Sequence, residues 1–178
     1  MNTRVLKGAY TVAEEPDWEA AYREYLPRIY NFFRYRVSDE SLVEDLTAIT
    51  FEKAWRRRTR YRRDLSAFST WLFTIARNVA ADHFRQRGHE LPLEAVRVQA
   101  ASPSLEETVQ RKQDFARLSA LLSQLPERER ELVAFKYGAG LNNREIARLT
   151  HLSESNVGTI LHRVVEKLRI ELEVKDER

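Results

Sequence analysis

The sequence predicts an all-α fold of two helical domains joined by a flexible linker, the C-terminal domain being a helix-turn-helix. Apolar residues recur with the 3.6-residue period of amphipathic helices along most of the 178-residue chain. Residues 88–104 lack that period, contain two prolines and divide the chain. Residues 141–168 show two helical patterns on either side of a tight turn. No stretch makes a convincing β-strand.

The N-terminal domain is predicted to consist of three helices within residues 17–87, after a mobile tail at 1–16. Asp17 is a good N-cap for the first helix, which Pro27 is expected to kink or restart. The second helix should begin near Ser38 or Asp39, and the third should span 68–87. On the second helix the positions available for burial are Leu42, Leu46, Ile49, Phe51 and Trp55.

The linker at 88–104 has 17 residues and reaches at most about 55 Å when fully extended. Residues 105–178 then form the C-terminal domain. Its first helix carries a capping box made by Ser104 and Glu107, and Pro126 stops it. The following helix should end at Gly138, because glycine tolerates the left-handed conformation of a C-cap.

Two helices separated by a turn are predicted at 141–168. Ile146 and Leu149 give the first an apolar stripe, Leu152 can fill the turn, and Ser153 is a good N-cap for the second. The second helix has a buried face of Val157, Ile160, Leu161, Val164 and Leu168. Its opposite face carries Ser155, Asn156, Thr159, His162, Arg163 and Lys167. Such a polar face suits the major groove of DNA, although periodicity alone fits two surface helices of an ordinary bundle equally well.

Positive charge is concentrated in one stretch between the second and third helices. Tyr61 is surrounded by the arginines 56, 57, 58, 60, 62 and 63. A cationic run is usually a solvated surface. Aromatic residues among the arginines favour single-stranded nucleic acid instead, since bases stack on rings while arginines neutralise the backbone.

Composition limits the remaining function classes. The net charge of +3 and pI near 9.3 permit a polyanionic partner without requiring one. Cysteine is absent, and no apolar run approaches 18 residues, so a cytoplasmic protein without membrane insertion is expected. The four histidines show no metal-ligand spacing with acids, and the sequence has no cysteine nucleophile, no phosphate-binding glycine loop and no H-E-x-x-H helix. The sequence therefore predicts no catalysis, no metal and no cofactor.

Three motifs carry a resemblance to a known family. EDLTAITFEKAW at 44–55, FSTWLFTIARNVAADHFRQR at 68–87 and the stretch 125–169 resemble, in that order, an extracytoplasmic-function (group IV) sigma factor of bacterial RNA polymerase. The resemblance implies that the N-terminal domain (region 2) binds core polymerase and melts the −10 promoter element. It implies that the C-terminal domain (region 4) reads the −35 element. The implied partners are the β′ coiled coil and β flap of polymerase, promoter DNA and an anti-sigma factor.

The resemblance also assigns candidate site residues. For the −35 element these are Arg144, Ser155, Asn156, Thr159, His162, Arg163 and Lys167. For the −10 element they are Tyr61, Arg62, Arg63, Phe68, Arg77, Asn78 and Arg85. For polymerase they are Glu44, Asp45, Thr47, Ala48 and Thr50, in or beside the contact. Tyr61 and Asn78 offer the ring and the amide that an extruded base needs, whereas the arginines suit phosphates.

Departures from the family pattern leave some points open. Ala48-Ile49 stands where relatives commonly have Gln-Glu, which leaves open how much of the polymerase docking is hydrogen-bonded rather than apolar. His151 stands where glycine is frequent and should adopt an unusual backbone conformation. Trp71 fits either the core or a DNA contact. The rival hypothesis is a free-standing helix-turn-helix repressor whose N-terminal helices dimerise. The repressor hypothesis assigns no function to the arginine-rich stretch or to the third helix.

Overall fold

The computed structural model describes residues 16–87 and 106–176, with side chains at 16–86 and 113–173. The predicted tail and the predicted linker at 88–104 lie outside these residues, as does the Ser104 cap. The described ranges contain helices and no strand. The helices are α1 (Trp18–Arg34), α2 (Glu40–Arg56), α3 (Phe68–Arg87), α4 (Glu106–Ser123), α5 (Glu127–Val133), α6 (Asn143–Thr150) and α7 (Glu154–Asp176). A 3₁₀ turn at Arg58–Arg60 follows α2, and a π-helical turn at Ala134–Gly138 extends α5.

Side-chain caps begin the first two helices, as the sequence predicts. Asp17 accepts hydrogen bonds from the backbone N–H groups of residues 19 and 20, and Asp39 from those of 41 and 42. The prediction that Pro27 restarts the first helix is wrong, since α1 runs through it without a break. Pro27 lies on the exposed side of α1, where water can satisfy the one carbonyl that loses its donor.

The buried face of α2 shares Leu46 with the predicted one and otherwise differs from it. It consists of Val43, Leu46, Thr47, Thr50 and Ala54. The two threonines tolerate burial because each hydroxyl donates to a carbonyl one turn earlier in the helix, at 2.7 and 2.8 Å. The prediction that Ile49 and Trp55 are buried is therefore wrong, and their side chains are 38% and 50% exposed.

The glycine at the end of the π-helical turn has a different role from the predicted one. Gly140, with φ +66°, takes the left-handed conformation that was expected at Gly138. Gly138 instead lies against α1, where a Cβ would stand 2.7 Å from the backbone oxygen of Asn31. Only glycine lets the turn approach α1 so closely.

The two domains share one continuous core. Phe135 of the π-helical turn is fully buried and stacks on Phe32 of α1, with ring centroids 4.8 Å apart. Arg28 of α1 donates to the carbonyl of Ala139 at 2.8 Å. Burying a phenylalanine stabilises the folded state by about 1.5–3 kcal/mol, so this contact is a substantial part of the fold. None of the described helices is both long and apolar enough to cross a bilayer.

Candidate nucleic-acid interface

The helix-turn-helix consists of α6 and α7. Asn142 and Glu145 form a reciprocal capping box at the start of α6. His151 ends α6 with φ 57°, which confirms the unusual backbone expected there. The Ser153 hydroxyl accepts from the N–H of Asn156 at 3.1 Å, which confirms Ser153 as the cap of α7. These local bonds fix the angle at which α7 leaves the turn.

The polar face of α7 is open to solvent. All six residues predicted for it are exposed, namely Ser155, Asn156, Thr159, His162, Arg163 and Lys167. On the opposite face Val157, Leu161, Val164 and Leu168 are buried, and Ile160 is partly buried against them. The separation of the two faces is what the groove-reading hypothesis requires.

Three of the cations predicted for the −35 element are each paired with a carboxylate of the same domain. Arg163 donates to Glu129 at 2.6 Å, Arg144 lies 3.5 Å from Glu154, and Lys167 lies 3.9 Å from Glu171. The three basic side chains are 56–70% exposed. Exposed pairs of this kind are worth little, so a DNA phosphate can displace the carboxylates.

The loop between α2 and α3 is built on an aromatic cluster. The Tyr61 hydroxyl donates to the carbonyl of Ser66 at 3.2 Å, and its ring lies 5.4 Å from Phe68 and 5.2 Å from Trp71. Burial raises the pKa of Tyr61, although Arg63 opposes this. Trp71 is partly buried and packs on the core while it also touches Tyr61. Trp71 therefore links the Tyr61 ring to the core.

Sequence reasoning missed two members of this cluster, Trp18 and Trp55. Trp18 lies edge-on to both Trp55 and Phe68, at 5.5 and 5.6 Å. The guanidinium of Arg58 lies 4.1 Å from the half-exposed ring of Trp55. The available signal was the i, i+3 spacing of Trp55 and Arg58 at the end of α2. A half-exposed ring with a cation over it is a surface on which bases can stack.

The arginines predicted for the −10 element fall into different environments. Arg62 makes two hydrogen bonds to Asp64, at 2.9 and 2.7 Å, which lower the pKa of that carboxyl. Arg85 pairs with Asp82, and Arg63 is exposed. Arg77 points away from these residues and binds the C-terminal domain.

Helix α3 presents one continuous exposed face beside the aromatic cluster. Trp71, Asn78 and Arg85 are spaced by seven residues and thus share a face, with two turns, about 10 Å, between neighbours. Asn78 and Arg85 are exposed. Together with Tyr61 these residues form a stripe, here called the α3 stripe. Tyr61 contacts Trp71 at one end of the stripe, and Asn78 lies two turns further along α3.

The residues predicted to bind polymerase lie on α2 in two environments. Glu44, Asp45 and Ala48 are exposed, beside the exposed Ile49. Thr47 and Thr50 are 4% and 0% exposed and bond within their own helix. Any docking on this face therefore involves the acidic and apolar side chains, with the two threonines supporting the helix from its buried side.

The geometry defines a class of protein, a two-domain DNA-binding factor with a helix-turn-helix in its second domain. Comparison with known proteins identifies the family. Residues 21–90 match the family description "Sigma-70 region 2" and residues 115–168 match "Sigma-70, region 4". The chain belongs to the extracytoplasmic-function sigma factors of RNA polymerase.

Individual relatives support this family. The chain is 30% identical to sigma factor SigM of Bacillus subtilis over 152 residues, 83% of this chain and 90% of that protein. It is 32% identical to sigma factor CarQ of Myxococcus xanthus over 163 residues, 88% and 92% of the two chains. Sigma factor BldN of Streptomyces coelicolor is 31% identical over 83% of this chain, which spans only 57% of BldN.

Solved structures share the fold of both domains. Sigma factor RpoE of Bartonella quintana, in complex with the anti-sigma factor NepR, matches with a TM-score of 0.70 at 25% identity. The match covers 89% of this chain and 98% of RpoE. CnrH in complex with the cytosolic domain of CnrY matches in fold, with a TM-score of 0.62 at 22% identity.

Proposed function

We propose that this sigma factor directs bacterial RNA polymerase core to its promoters by dividing the work between two surfaces. The polar face of α7 reads the −35 element, and the α3 stripe with the 61–68 loop holds the opened −10 strand. The observation that carries the proposal is the presence of both surfaces on one chain, one shaped for a duplex groove and one for unpaired bases. The rival hypothesis of a free-standing repressor is not favoured, because it uses only the first surface.

For the −35 element, Asn156 and Thr159 near the start of α7 supply an amide and a hydroxyl that can reach base edges. Ser155, His162, Arg163 and Lys167 lie on the same face, and Arg144 of α6 lies beside it. These positions suit contacts with phosphates and the outer bases of the site. Gly158 and Ile160 add no charge, so the domain depends on being tethered to polymerase for much of its affinity.

For the −10 element, the Tyr61 ring offers a stacking surface for an extruded base, and Asn78 can hydrogen-bond a base edge. Since about 10 Å of α3 separates Trp71 from Asn78, we infer that Tyr61 and Asn78 hold different nucleotides of the same strand. Arg85 of the stripe and Arg62 and Arg63 of the loop neutralise phosphates. Phe68 packs edge-on against the Tyr61 ring.

For polymerase, the exposed face of α2 docks on the β′ coiled coil, with Glu44 and Asp45 providing charge and Ala48 and Ile49 apolar contact. The C-terminal domain contacts the β flap, which places it over the −35 element. An anti-sigma factor is a further proposed partner. The likeness to RpoE, whose solved structure is a complex with the anti-sigma factor NepR, supports this proposal. The factor itself catalyses no reaction and works in the cytoplasm.

Transcription reconstituted from purified components tests the proposal. Core polymerase with and without the chain is incubated with a library of genomic fragments, and the 5′ ends of the transcripts are sequenced. Initiation at a small set of sites that share −35 and −10 sequences is the expected result. If the chain binds duplex DNA but stimulates initiation by no core polymerase, the result supports the repressor hypothesis instead.

A further inference from the structure

The aromatic cluster around Tyr61 has a second exposed end, at the C-terminal end of α2. Trp55 lies there and is 50% exposed. Ring centroids are separated by 5.5 Å between Trp55 and Trp18, by 5.6 Å between Trp18 and Phe68, and by 5.4 Å between Phe68 and Tyr61. Successive ring contacts thus connect Trp55 to Tyr61, and these two end rings are at most about 17 Å apart.

Arg58 holds the Trp55 ring in place and adds positive charge to it. The central carbon of its guanidinium lies 4.1 Å from the centroid of the Trp55 ring, and its Nη1 donates to the carbonyl of Trp55 at 3.0 Å. This bond uses one of the five N–H donors of the guanidinium, so other donors can reach a phosphate. Bases stack on aromatic rings and on guanidinium planes alike. The pair is therefore a stacking platform with a phosphate-binding group attached.

The chain between the two end rings is strongly cationic. Residues 56–60 read RRRTR and contain four arginines. Arg57 and Arg60 are exposed, and Arg56 pairs with Glu52 at 2.6 Å in a pair that is itself exposed. Exposed pairs of this kind are weak, so phosphates can compete for Arg56 as well. Rings that alternate with cations are typical of a site for single-stranded nucleic acid.

Helix α2 also carries the residues proposed to contact polymerase, but its two ends have opposite charge. Glu44 and Asp45 lie in its N-terminal half, with Ala48 one turn further along. A polymerase surface complementary to two carboxylates is positive, and it repels the arginines that follow Trp55. Trp55 itself lies about 10 Å beyond Ala48 along the helix axis. The charge around Trp55 therefore favours a polyanion over the polymerase surface.

We propose that Trp55 and Arg58 form a second nucleotide subsite for the opened promoter strand, in which a base stacks on the pair and a phosphate binds the arginine. The subsite rests on the proposed function for the source of this strand. At the 3.4 Å spacing of a duplex strand about five nucleotides span the distance to Tyr61, and a stretched strand needs fewer. The base on Trp55 is therefore a different one from the base on Tyr61. Because every base has a π-face, the subsite adds affinity without reading sequence.

Photocrosslinking of the full chain tests the subsite without polymerase or promoter. The probe is an oligodeoxythymidine of about 12 nucleotides, within the usual size of single-strand sites, with 5-iodouracil in place of one base. It is bound at low salt, where phosphate contacts are strongest. Light joins the iodinated base to an aromatic ring in contact with it, and mass spectrometry of the peptides identifies that ring. An adduct on Trp55 is the expected result, and its absence overturns the subsite.

Two substitutions of Trp55 separate stacking from packing, with binding of the same oligonucleotide measured by fluorescence anisotropy. Trp55→Phe keeps a ring and should retain most of the affinity. Trp55→Leu keeps an apolar side chain against Trp18 but offers no ring, so it should weaken binding at least about fivefold. Tyr22→Leu is the matched control, since Tyr22 is 47% exposed and its ring lies 4.8 Å from Phe51, one turn before Trp55. Equal losses in the two leucine variants would assign both rings to packing and overturn the subsite.

The polymerase holoenzyme on a promoter distinguishes the subsite from the proposed function. With 5-iodouracil at successive positions of the opened strand, Trp55 and Tyr61 should be labelled from different positions, no more than about five nucleotides apart. Trp55→Leu should lower the open complex at least about fivefold and leave the affinity for core polymerase unchanged. Weaker polymerase binding instead would place Trp55 in the polymerase contact and overturn the subsite. If the parent chain opens no promoter, the proposed function fails, and the oligonucleotide adduct still decides whether Trp55 binds a base.

Discussion

The rings of Phe32 and Phe135 stack across the domain boundary with their planes only 23° from parallel. Both side chains are fully buried, and Phe135 also meets Phe73 of α3 edge-on at 6.2 Å. A residue of the C-terminal domain is therefore part of the core of the N-terminal domain. Offset aromatic pairs add about 0.5–1.5 kcal/mol beyond the area that they bury.

Phe135→Ala should lower the free energy of unfolding by about 3–5 kcal/mol, because it removes the stacked ring and leaves a cavity at the shared core. Urea denaturation followed by circular dichroism measures this loss. Tyr137→Ala is the control, since Tyr137 lies in the same turn but is 51% exposed. It should change stability by less than about 0.5 kcal/mol. Similar losses in the two variants would exclude a special role for the stack.

Three glycines should respond differently to alanine. Gly138→Ala should destabilise the protein by more than about 1 kcal/mol, because its Cβ would stand 2.7 Å from the Asn31 oxygen and 3.2 Å from the Phe32 Cα, both backbone atoms. Gly140→Ala should cost about 1–2 kcal/mol from backbone strain alone, since nothing lies within 4 Å of its added Cβ. Gly158→Ala, inside α7, should instead stabilise by about 0.5–1 kcal/mol.

Thermal unfolding of these three variants checks the order. If Gly138→Ala stabilises the protein, the π-helical turn does not approach the backbone of α1 closely enough to exclude a Cβ. A destabilising Gly158→Ala would mean that the side chain of Asn143, 3.4 Å from the added Cβ, cannot adjust.

Asn156→Ala and Arg163→Ala should each weaken −35 binding by about 1–3 kcal/mol without unfolding the domain, because each removes a polar group from the exposed face of α7. Footprinting of the polymerase holoenzyme on promoter DNA provides the measurement. Ile170→Ala changes an exposed residue beyond this face and should leave the footprint intact. If both polar variants protect promoter DNA as the parent does, a surface other than the polar face of α7 reads the −35 element.

Tyr61→Ala and Asn78→Ala should impair promoter opening while leaving polymerase binding unchanged. Lost stacking of about 1–3 kcal/mol corresponds to a decrease of about five- to more than a hundredfold in open complex, which permanganate reactivity of unpaired thymines measures. Tyr61→Phe is the matched control, because it keeps the ring and loses only the bond to Ser66. A template mismatched at −10 should rescue the two alanine variants in part. Normal opening of closed duplex by both would refute the assignment.

Local signals in the sequence were sufficient to predict most helix boundaries. The side chains of Asp17, Asp39 and Ser153 accept hydrogen bonds from backbone N–H groups three residues later. The capping geometry therefore depends only on nearby positions in the sequence. His151 was expected to adopt an unusual backbone for the same reason, and it does. The buried and exposed faces of α7 follow from helical periodicity. The family itself was recognisable from motifs spread along the chain.

Tertiary structure decided what the sequence could not. Nothing near Arg77 in the sequence indicates Glu131, 54 residues away, and without that partner Arg77 looks like a phosphate contact. The sequence predicts Gly138 as a helix cap. The structure gives a different reason for glycine there, since the backbone of Asn31 in the other domain leaves no room for a side chain. Thr47 and Thr50 are buried in place of Ile49 because the packing of α2 on its neighbours selects the face, and the hydroxyls can bond within the helix. Conformational preferences of short segments are encoded locally, whereas contacts between distant segments depend on how the whole chain packs.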